Sequence, residues 1–405
     1  MLSLLGWSFI GGSVLLGSYP AFESVFLKRK YRERKLRENM QQAFINGEMY
    51  KQREKARIYP SIIKMEQDTK KITFVFNVPK GLSPDTFEKG LFVFKQHFNE
   101  YLDLEMNEKR GILKVYKKGL PTKLKYKYSG ISDSLKKKRL PIICGMNLEG
   151  DIFSFDLVKF PHVLIAGETG SGKSSHIRAL LTTLIKTKGP KELRLVLGDL
   201  KRSEFHLFKQ IEHVEGVYHS AIELKPALKK VQREMQRRGD MLDQEGVTSI
   251  DKLQNKFPYI IVCIDEVVLL KKETDIMDIL EEISSIGRSL GVFVILSMQR
   301  PDSKLLEGKL KVNLTVRMGF KTADKSNSKI IGVEGAENIV NPGRMMLKVN
   351  SSLQEIQSPE LDEEVAKDLL KPHKTSHEKP IEVIEEQPIQ ENYEKVVQLF
   401  NEQKR

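Results

Sequence analysis

Gly167-Glu-Thr-Gly-Ser-Gly-Lys-Ser174 is the stretch on which the reading of this chain turns. It fits the pattern G-x-x-x-x-G-K-[S/T] in full, follows the apolar run HVLIAG (162–167) and precedes a helical pattern at 176–184. In that context the glycines let backbone N–H groups curl around phosphate oxygens at a helix N-terminus. Gly167, Glu168, Thr169, Gly170, Ser171, Gly172, Lys173, Ser174 and Ser175 are therefore the expected nucleotide-binding residues. Lys173 is expected to reach the β- and γ-phosphates, and the Ser174 hydroxyl to ligate Mg2+.

A second stretch, Tyr259-Ile-Ile-Val-Cys-Ile-Asp-Glu266, reads as a buried strand with two carboxylates at its C-terminal tip. Ligands of parallel sheets sit at that end. Asp265 is expected to hold magnesium through water, and Glu266 to polarise the attacking water; an Asp followed by Glu points to hydrolysis rather than binding alone. A third stretch, Ser297-Met-Gln-Arg-Pro301, ends the next strand and places Gln299 as a candidate sensor beside the γ-phosphate. Arg317, ahead of Arg288, is the candidate finger acting on a neighbouring subunit's nucleotide.

Working outward, apolar runs at 162–167, 192–199, 259–266, 292–299 and 314–320 alternate with helical patterns over residues 140–358. Continuous apolar runs of this kind predict a parallel sheet covered on both faces. Residues 58–139 read as a small α/β domain. KITFVFNV (71–78) and GILKVY (111–116) are its strands, and a helix starting at Ser83 carries Phe87, Leu91, Phe94 and Phe98 on one face. The lysines and tyrosines of 123–140 join the two parts.

Residues 1–27 carry a single charge, Glu23, and are just long enough to cross a bilayer of about 30 Å. Residues 28–57 follow with net charge +7 and read as a basic helical stem, so the positive-inside rule predicts a single-pass anchor in the cell membrane with the rest of the chain in the cytoplasm. Of the overall +13 over 405 residues, +12 sits in 58–358, whereas 359–405 carry −5 and read as an acidic, partly disordered tail. A basic body invites an anionic partner, nucleic acid or membrane surface. Cys144 and Cys263 are far apart with no neighbouring His pattern, so neither a disulfide framework nor a zinc site is expected.

The order of these motifs resembles the FtsK/SpoIIIE branch of the HerA–FtsK ring ATPases over about residues 140–360. The resemblance rests on Phe160-Pro-His-Val-Leu-Ile-Ala-Gly167 leading into the phosphate loop, Asp199-Leu-Lys-Arg-Ser-Glu204, Glu234-Met-Gln-Arg-Arg238 and the Asp265-Glu266 strand. It continues through Gly287-Arg-Ser-Leu-Gly291, Gln299-Arg-Pro301 and Gly343-Arg-Met-Met-Leu347. It implies an α/β fold, a RecA-like P-loop NTPase motor with a parallel central sheet, preceded by a small α/β domain and a membrane anchor. It further implies ATP and Mg2+, a homo-hexamer, and DNA moved through the central hole. Lys201, Arg202, Lys304, Lys309 and Lys311 would then face the channel.

Leu200 stands where the family has proline, and Met298 where it has threonine. The acidic tail does not look like the winged-helix module with which chromosome-pumping members read DNA orientation. The chain is more similar to the coupling proteins of Gram-positive conjugative elements, which bring relaxase-bound DNA to a conjugation channel. A chromosome-partitioning pump and a protein-secretion motor are the alternatives within the same resemblance.

Overall fold

The computed structural model describes residues 12–306 and 308–375, with side chains from Lys28 onward. The chain divides into two units. The first runs to Gly119 and includes Leu148–Gly150; the second comprises Leu120–Asn147 and Asp151 onward.

In the first unit a 35-residue helix, α1 (Gly12–Asn46), covers both the second part of the expected anchor and most of the expected stem. Residues 1–11 of that anchor lie outside the described residues. Among the described residues, no helix is long and apolar enough to cross a membrane. The stem is not a separate solvated element either. Its first turns are exposed and carry the i,i+4 pairs Arg29–Glu33 and Arg34–Glu38, but its end turns apolar. Met40, Ala43 and Phe44 are completely buried there.

What they pack on is a four-stranded antiparallel sheet. It is built from β1 (Ser61–Gln67), β2 (Lys71–Asn77), β3 (Leu102–Met106) and β4 (Arg110–Tyr116), in the order β1-β2-β4-β3. The Phe44 ring meets Phe76 at 5.1 Å and Phe94 at 6.0 Å between centroids, both edge-on, the arrangement ring quadrupoles favour. The single helix expected after Ser83 is two, α2 (Asp85–Lys89) and α3 (Leu91–His97), separated at Gly90. A Cβ on Gly90 would come within 2.4 Å of the Met49 Cε, so the end of the stem packs into the space that glycine leaves.

The second unit begins with α4 (Tyr128–Leu135), β5 (Pro141–Met146) and β6 (Ile152–Asp156). Next come β7 (Val163–Ala166), α5 (Lys173–Thr187), β8 (Leu193–Asp199) and β9 (Val214–Tyr218). Then follow α6 (Ala221–Glu245), β10 (Tyr259–Asp265), α7 (Thr274–Leu290), β11 (Val292–Met298), α8 (Gly308–Asn313) and β12 (Val316–Gly319). The unit closes with α9 (Lys325–Ile331), β13 (Arg344–Val349), β14 (Ser352–Gln357) and α10 (Glu363–Leu370).

All ten strands form one sheet, in the order β9-β8-β10-β11-β7-β12-β13-β14-β5-β6. The pairs from β9 to β12 are parallel, as the apolar runs predict. Beyond β12 the strands pair antiparallel, so the parallel sheet is extended by four strands not foreseen. Successive residues serve opposite faces. Leu195, Leu197, Ile261 and Cys263 enter the core beneath α5, while Val196, Val262 and Ile264 enter the core beneath α6 and α7.

Two expected boundaries move. Residues 120–139 belong with the second unit, because α4 buries Ile131 and Leu135 in its core. Residues 359–375 belong there too, rather than to a mobile tail. Pro359–Glu360 pair with Leu124–Lys125, and Leu361, Ala366 and Leu370 are buried in the core shared with α5. The rest of the expected tail, 376–405, lies outside the described residues. Leu370→Ala is expected to destabilise the unit by about 2–5 kcal/mol, the usual cost of emptying a fully buried leucine site. An unchanged denaturant midpoint would show that α10 is not part of this core.

Candidate nucleotide-binding site

The phosphate loop leaves β7 at the centre of the parallel strands and enters α5. Its bend requires glycine at Gly172, where φ is +98° and a Cβ would lie 2.5 Å from the Gly343 nitrogen. That close approach is functional for the loop's shape, because the Gly343 N–H donates to the Ser171 carbonyl at 2.8 Å. Arg344 anchors the supporting segment by donating to Gln357 Oε1 (2.9 Å), Glu355 Oε1 (2.8 Å) and the Pro121 carbonyl (3.0 Å). The Gly343-Arg-Met-Met-Leu347 motif therefore braces the loop from behind and leads straight into β13.

At the first turn of α5, Lys173 is buried. Its Nζ donates to Asp265 Oδ1 at 2.9 Å and to Ser297 Oγ at 2.7 Å, and Ser297 Oγ donates to the same Asp265 oxygen at 2.8 Å. Strand register explains the triad. Ile264 faces Leu296 across β10 and β11, so Asp265 and Ser297 end neighbouring strands at one level. Both are almost completely buried. A buried ion pair of this kind is stable only while every partner is present.

Glu266 follows in the left-handed region, φ +57°, which turns its carboxylate back over the strand ends. It accepts from Lys201 Nζ at 2.7 Å and from the Gln299 backbone N–H at 3.2–3.3 Å. The Gln299 side chain reaches the loop, accepting from Thr169 Oγ1 at 3.4 Å. Beside these groups a cleft of about 500 Å³ is lined by Glu168, Thr169, Gln299, Arg300, Ala323, Asp324 and Asn327.

Ser174 Oγ donates to Glu204 Oε1 at 2.5 Å. Burial pushes the Glu204 carboxyl above its ordinary value, and the Asp265 charge adds to that shift. Asp199 places Glu204. Its buried carboxylate accepts from the backbone N–H groups of Ser203, Glu204 and Phe205, folding the Asp199-Leu-Lys-Arg-Ser-Glu204 segment back toward the loop. The result brings Ser174, Glu204 and Asp265 together as hard oxygen donors, the set magnesium prefers. Ser171 Oγ is buried with no hydrogen-bond partner among the described residues. The cradle thus has donors and space that suit a nucleotide phosphate and its cation.

Not every expected residue points into the site. Ser175 turns away, accepting from the Leu361 N–H at 2.9 Å and donating to the Leu361 carbonyl at 3.3 Å. Lys201, expected on a DNA channel, is held by Glu266. Arg202, Lys304 and Lys309 are exposed. Arg288 is exposed and its Nε donates to the Val158 carbonyl at 3.1 Å. The Glu234-Met-Gln-Arg-Arg238 motif is structural. Arg238 is buried and donates to Glu234, the Leu290 carbonyl and the Pro258 carbonyl, tying α6 to the end of α7 and the start of β10.

Glu204 and Ser297 were not singled out from the sequence. Ser297 had a signal, its place at a strand end level with Asp265; Glu204 had none without the fold of its turn.

Arg317 sits mid-strand opposite Leu164 and is half-buried. It donates to the carbonyls of Lys311 (2.8 Å), Leu314 (3.3 Å) and Ile331 (3.4 Å). In this conformation it ties α8 and α9 to the sheet, and a role on a neighbour's nucleotide requires those bonds to open. Arg317→Ala is expected to lower stability by about 1–3 kcal/mol, the cost of leaving buried carbonyls unpaired. A variant with an unchanged melting temperature and lost ATPase activity would instead favour action in trans.

The FtsK/SpoIIIE family model matches residues 128–305. DNA translocase FtsK of Chlorobaculum tepidum is 32% identical over 240 residues, covering 54% of this chain and 30% of that protein. DNA translocase SftA of Bacillus subtilis is 32% identical over 229 residues, covering 53% and 24%. The chain thus spans less than a third of the length of these curated relatives.

Among solved structures, the monomer form of the pCW3 conjugation coupling protein TcpA with ATPγS superposes with a TM-score of 0.58 at 22% identity. That match covers 84% of this chain and all of that one, a likeness of fold. The cytoplasmic domain of the type VII secretion ATPase EccC of Thermomonospora curvata superposes with a TM-score of 0.52 at 26% identity, covering 60% of this chain and 32% of that one. The likeness to the FtsK/SpoIIIE family is carried by residues 128–305, less than half of the chain.

Proposed function

We propose that the chain is an ATP-driven DNA translocase that works as a homo-hexamer and serves as a coupling protein in conjugation. The observation that carries the reading is the convergence at one sheet end of Lys173, Asp265, Ser297 and Glu266, beside a phosphate loop braced by Gly343. Lys173 is poised to exchange Asp265 for phosphate oxygens. Ser174 and Asp265, with Glu204 alongside, would hold magnesium, which neutralises charge developing on the phosphates. Glu266 would orient and polarise the attacking water, and Gln299 links that carboxylate to Thr169 of the loop, as a sensor must.

The conjugative role draws support from the coupling protein whose fold matches over 84% of this chain. The curated relatives named DNA translocases favour the second reading, a chromosome-partitioning pump. Likeness to the secretion ATPase covers 60% of this chain, which makes a protein-secretion motor the least supported alternative. Membrane anchoring rests on the sequence of residues 1–27, and a relaxase and channel proteins are the partners this role requires. The exposed Arg202, Lys304 and Lys309 suit a sequence-independent grip on phosphates.

Lys173→Ala is expected to abolish ATP hydrolysis, but it also strands the buried Asp265 charge, at a cost of about 3–5 kcal/mol in stability. Glu266→Gln, nearly isosteric, is the cleaner test. It is expected to retain nucleotide binding while lowering kcat by about 10²–10⁴-fold. DNA is expected to stimulate the wild-type rate. A folded oligomer whose ATPase ignores every DNA tested contradicts translocation. Glu266→Gln with wild-type turnover contradicts the assigned base. Loss of conjugative transfer in Glu266→Gln, with chromosome partitioning intact, separates the two DNA-moving readings.

A further inference from the structure

A cluster at the edge of the large sheet takes no part in the site above. Glu212 and His213 immediately precede β9, and His373 lies in the short helical turn after α10. One potential donor atom from each lies within 4.8 Å of the other two. The backbone sets this juxtaposition. Ile211 and Lys374 form an antiparallel bridge, the Glu212 N–H donates to the His373 carbonyl at 2.9 Å, and the Thr375 N–H donates to the Gln210 carbonyl at 2.8 Å.

His213 is the informative member. Its side chain is completely buried, and its Nε2 lies 2.7 Å from the Lys188 carbonyl oxygen. A carbonyl can only accept, so Nε2 carries the proton and Nδ1 holds a free lone pair. That Nδ1 is buried and has no hydrogen-bond partner among the described residues. Leaving such an acceptor unsatisfied is costly unless something else occupies its lone pair. The His373 ring centroid lies 5.7 Å from that of His213, and His373 Nδ1 is 3.4 Å from Glu212 Oε1.

We propose that Glu212, His213 and His373 form a divalent transition-metal site of the Zn2+ class, which clips the segment after β14 to the sheet edge. Ligating imidazoles commonly donate their second ring nitrogen to a backbone carbonyl, which fixes tautomer and ring orientation, and His213 already does so. Two imidazoles and one carboxylate suit Zn2+ better than Mg2+ or Ca2+. Glu212 and His373 are 37% and 23% exposed, so water can complete the coordination. The clipped segment includes α10 and Leu361, whose backbone holds Ser175 at the start of α5. The metal therefore fastens the strap that lies against the helix carrying Lys173.

Full-length protein stripped of metal with a chelator is titrated with ZnCl2 by calorimetry and with CoCl2 by visible absorption. One equivalent of Zn2+ per chain is expected, with a Co2+ ligand-field band that Zn2+ abolishes. His213→Gln and His373→Gln are each expected to weaken binding at least about tenfold, since even loss of an outer partner costs 10–100-fold. Zn2+ is expected to raise the melting temperature of the wild type and of neither variant. Should buried His213→Gln fail to fold, Glu212→Gln and His373→Gln, at partly exposed positions, carry the test. No saturable Zn2+ binding by the wild type, or equal binding by Glu212→Gln and His373→Gln, overturns the proposal.

Discussion

The buried ion pair between Lys173 and Asp265, bridged by Ser297, is the contact on which the rest of the motor site depends. It forms because three parallel strands end at one level and the first turn of α5 begins above them. Two unit charges in so little water are tolerated only with full hydrogen bonding, and Ser297 supplies the extra bond to each partner. The pair holds the loop lysine where phosphate is expected and keeps Asp265 oriented. Under the proposed function, an arriving phosphate would offer Lys173 a more highly charged partner and a cation would take over Asp265, coupling binding energy to a rearrangement at the strand ends.

That rearrangement would be felt elsewhere through contacts already in place. Glu266 is one residue from Asp265, and its two oxygens are occupied by Lys201 and the Gln299 N–H. Gln299 reaches Thr169 on the loop. On the opposite side of α5, Ser175 grips Leu361, and the strap containing it runs to the histidine cluster at the sheet edge. The loop, the Glu266 carboxylate and the strap are thus one connected set of contacts, all built within the second unit.

Much of this was legible in the sequence, for physical reasons. The five apolar runs became β7, β8, β10, β11 and β12, since a strand buried on both faces is built mostly of apolar residues. The phosphate loop and the Asp265-Glu266 tip were legible because their chemistry is local. Half-exposed β9 and the antiparallel strands β13, β14 and β6 were missed, as mixed patterns do not separate strand from loop, and the short apolar run of β5 was not singled out. Glu204 and Ser297 joined the site only through folding. Lys201, Ser175 and Arg317 were assigned by motif position, and hydrogen bonds within their own chain engage them otherwise. The stem and tail were read by charge, whereas a few apolar residues, Phe44 in one and Leu370 in the other, decide where they pack.

The most direct test of the Lys173–Asp265 account is a structure of the protein with Mg2+ and a non-hydrolysable ATP analogue. The account predicts Lys173 Nζ within hydrogen-bonding reach of the β- and γ-phosphate oxygens, no longer paired with Asp265, and the cation between Ser174 and Asp265. Nucleotide bound with the Lys173–Asp265 pair intact, or bound away from Gly172 and Ser174, would contradict it.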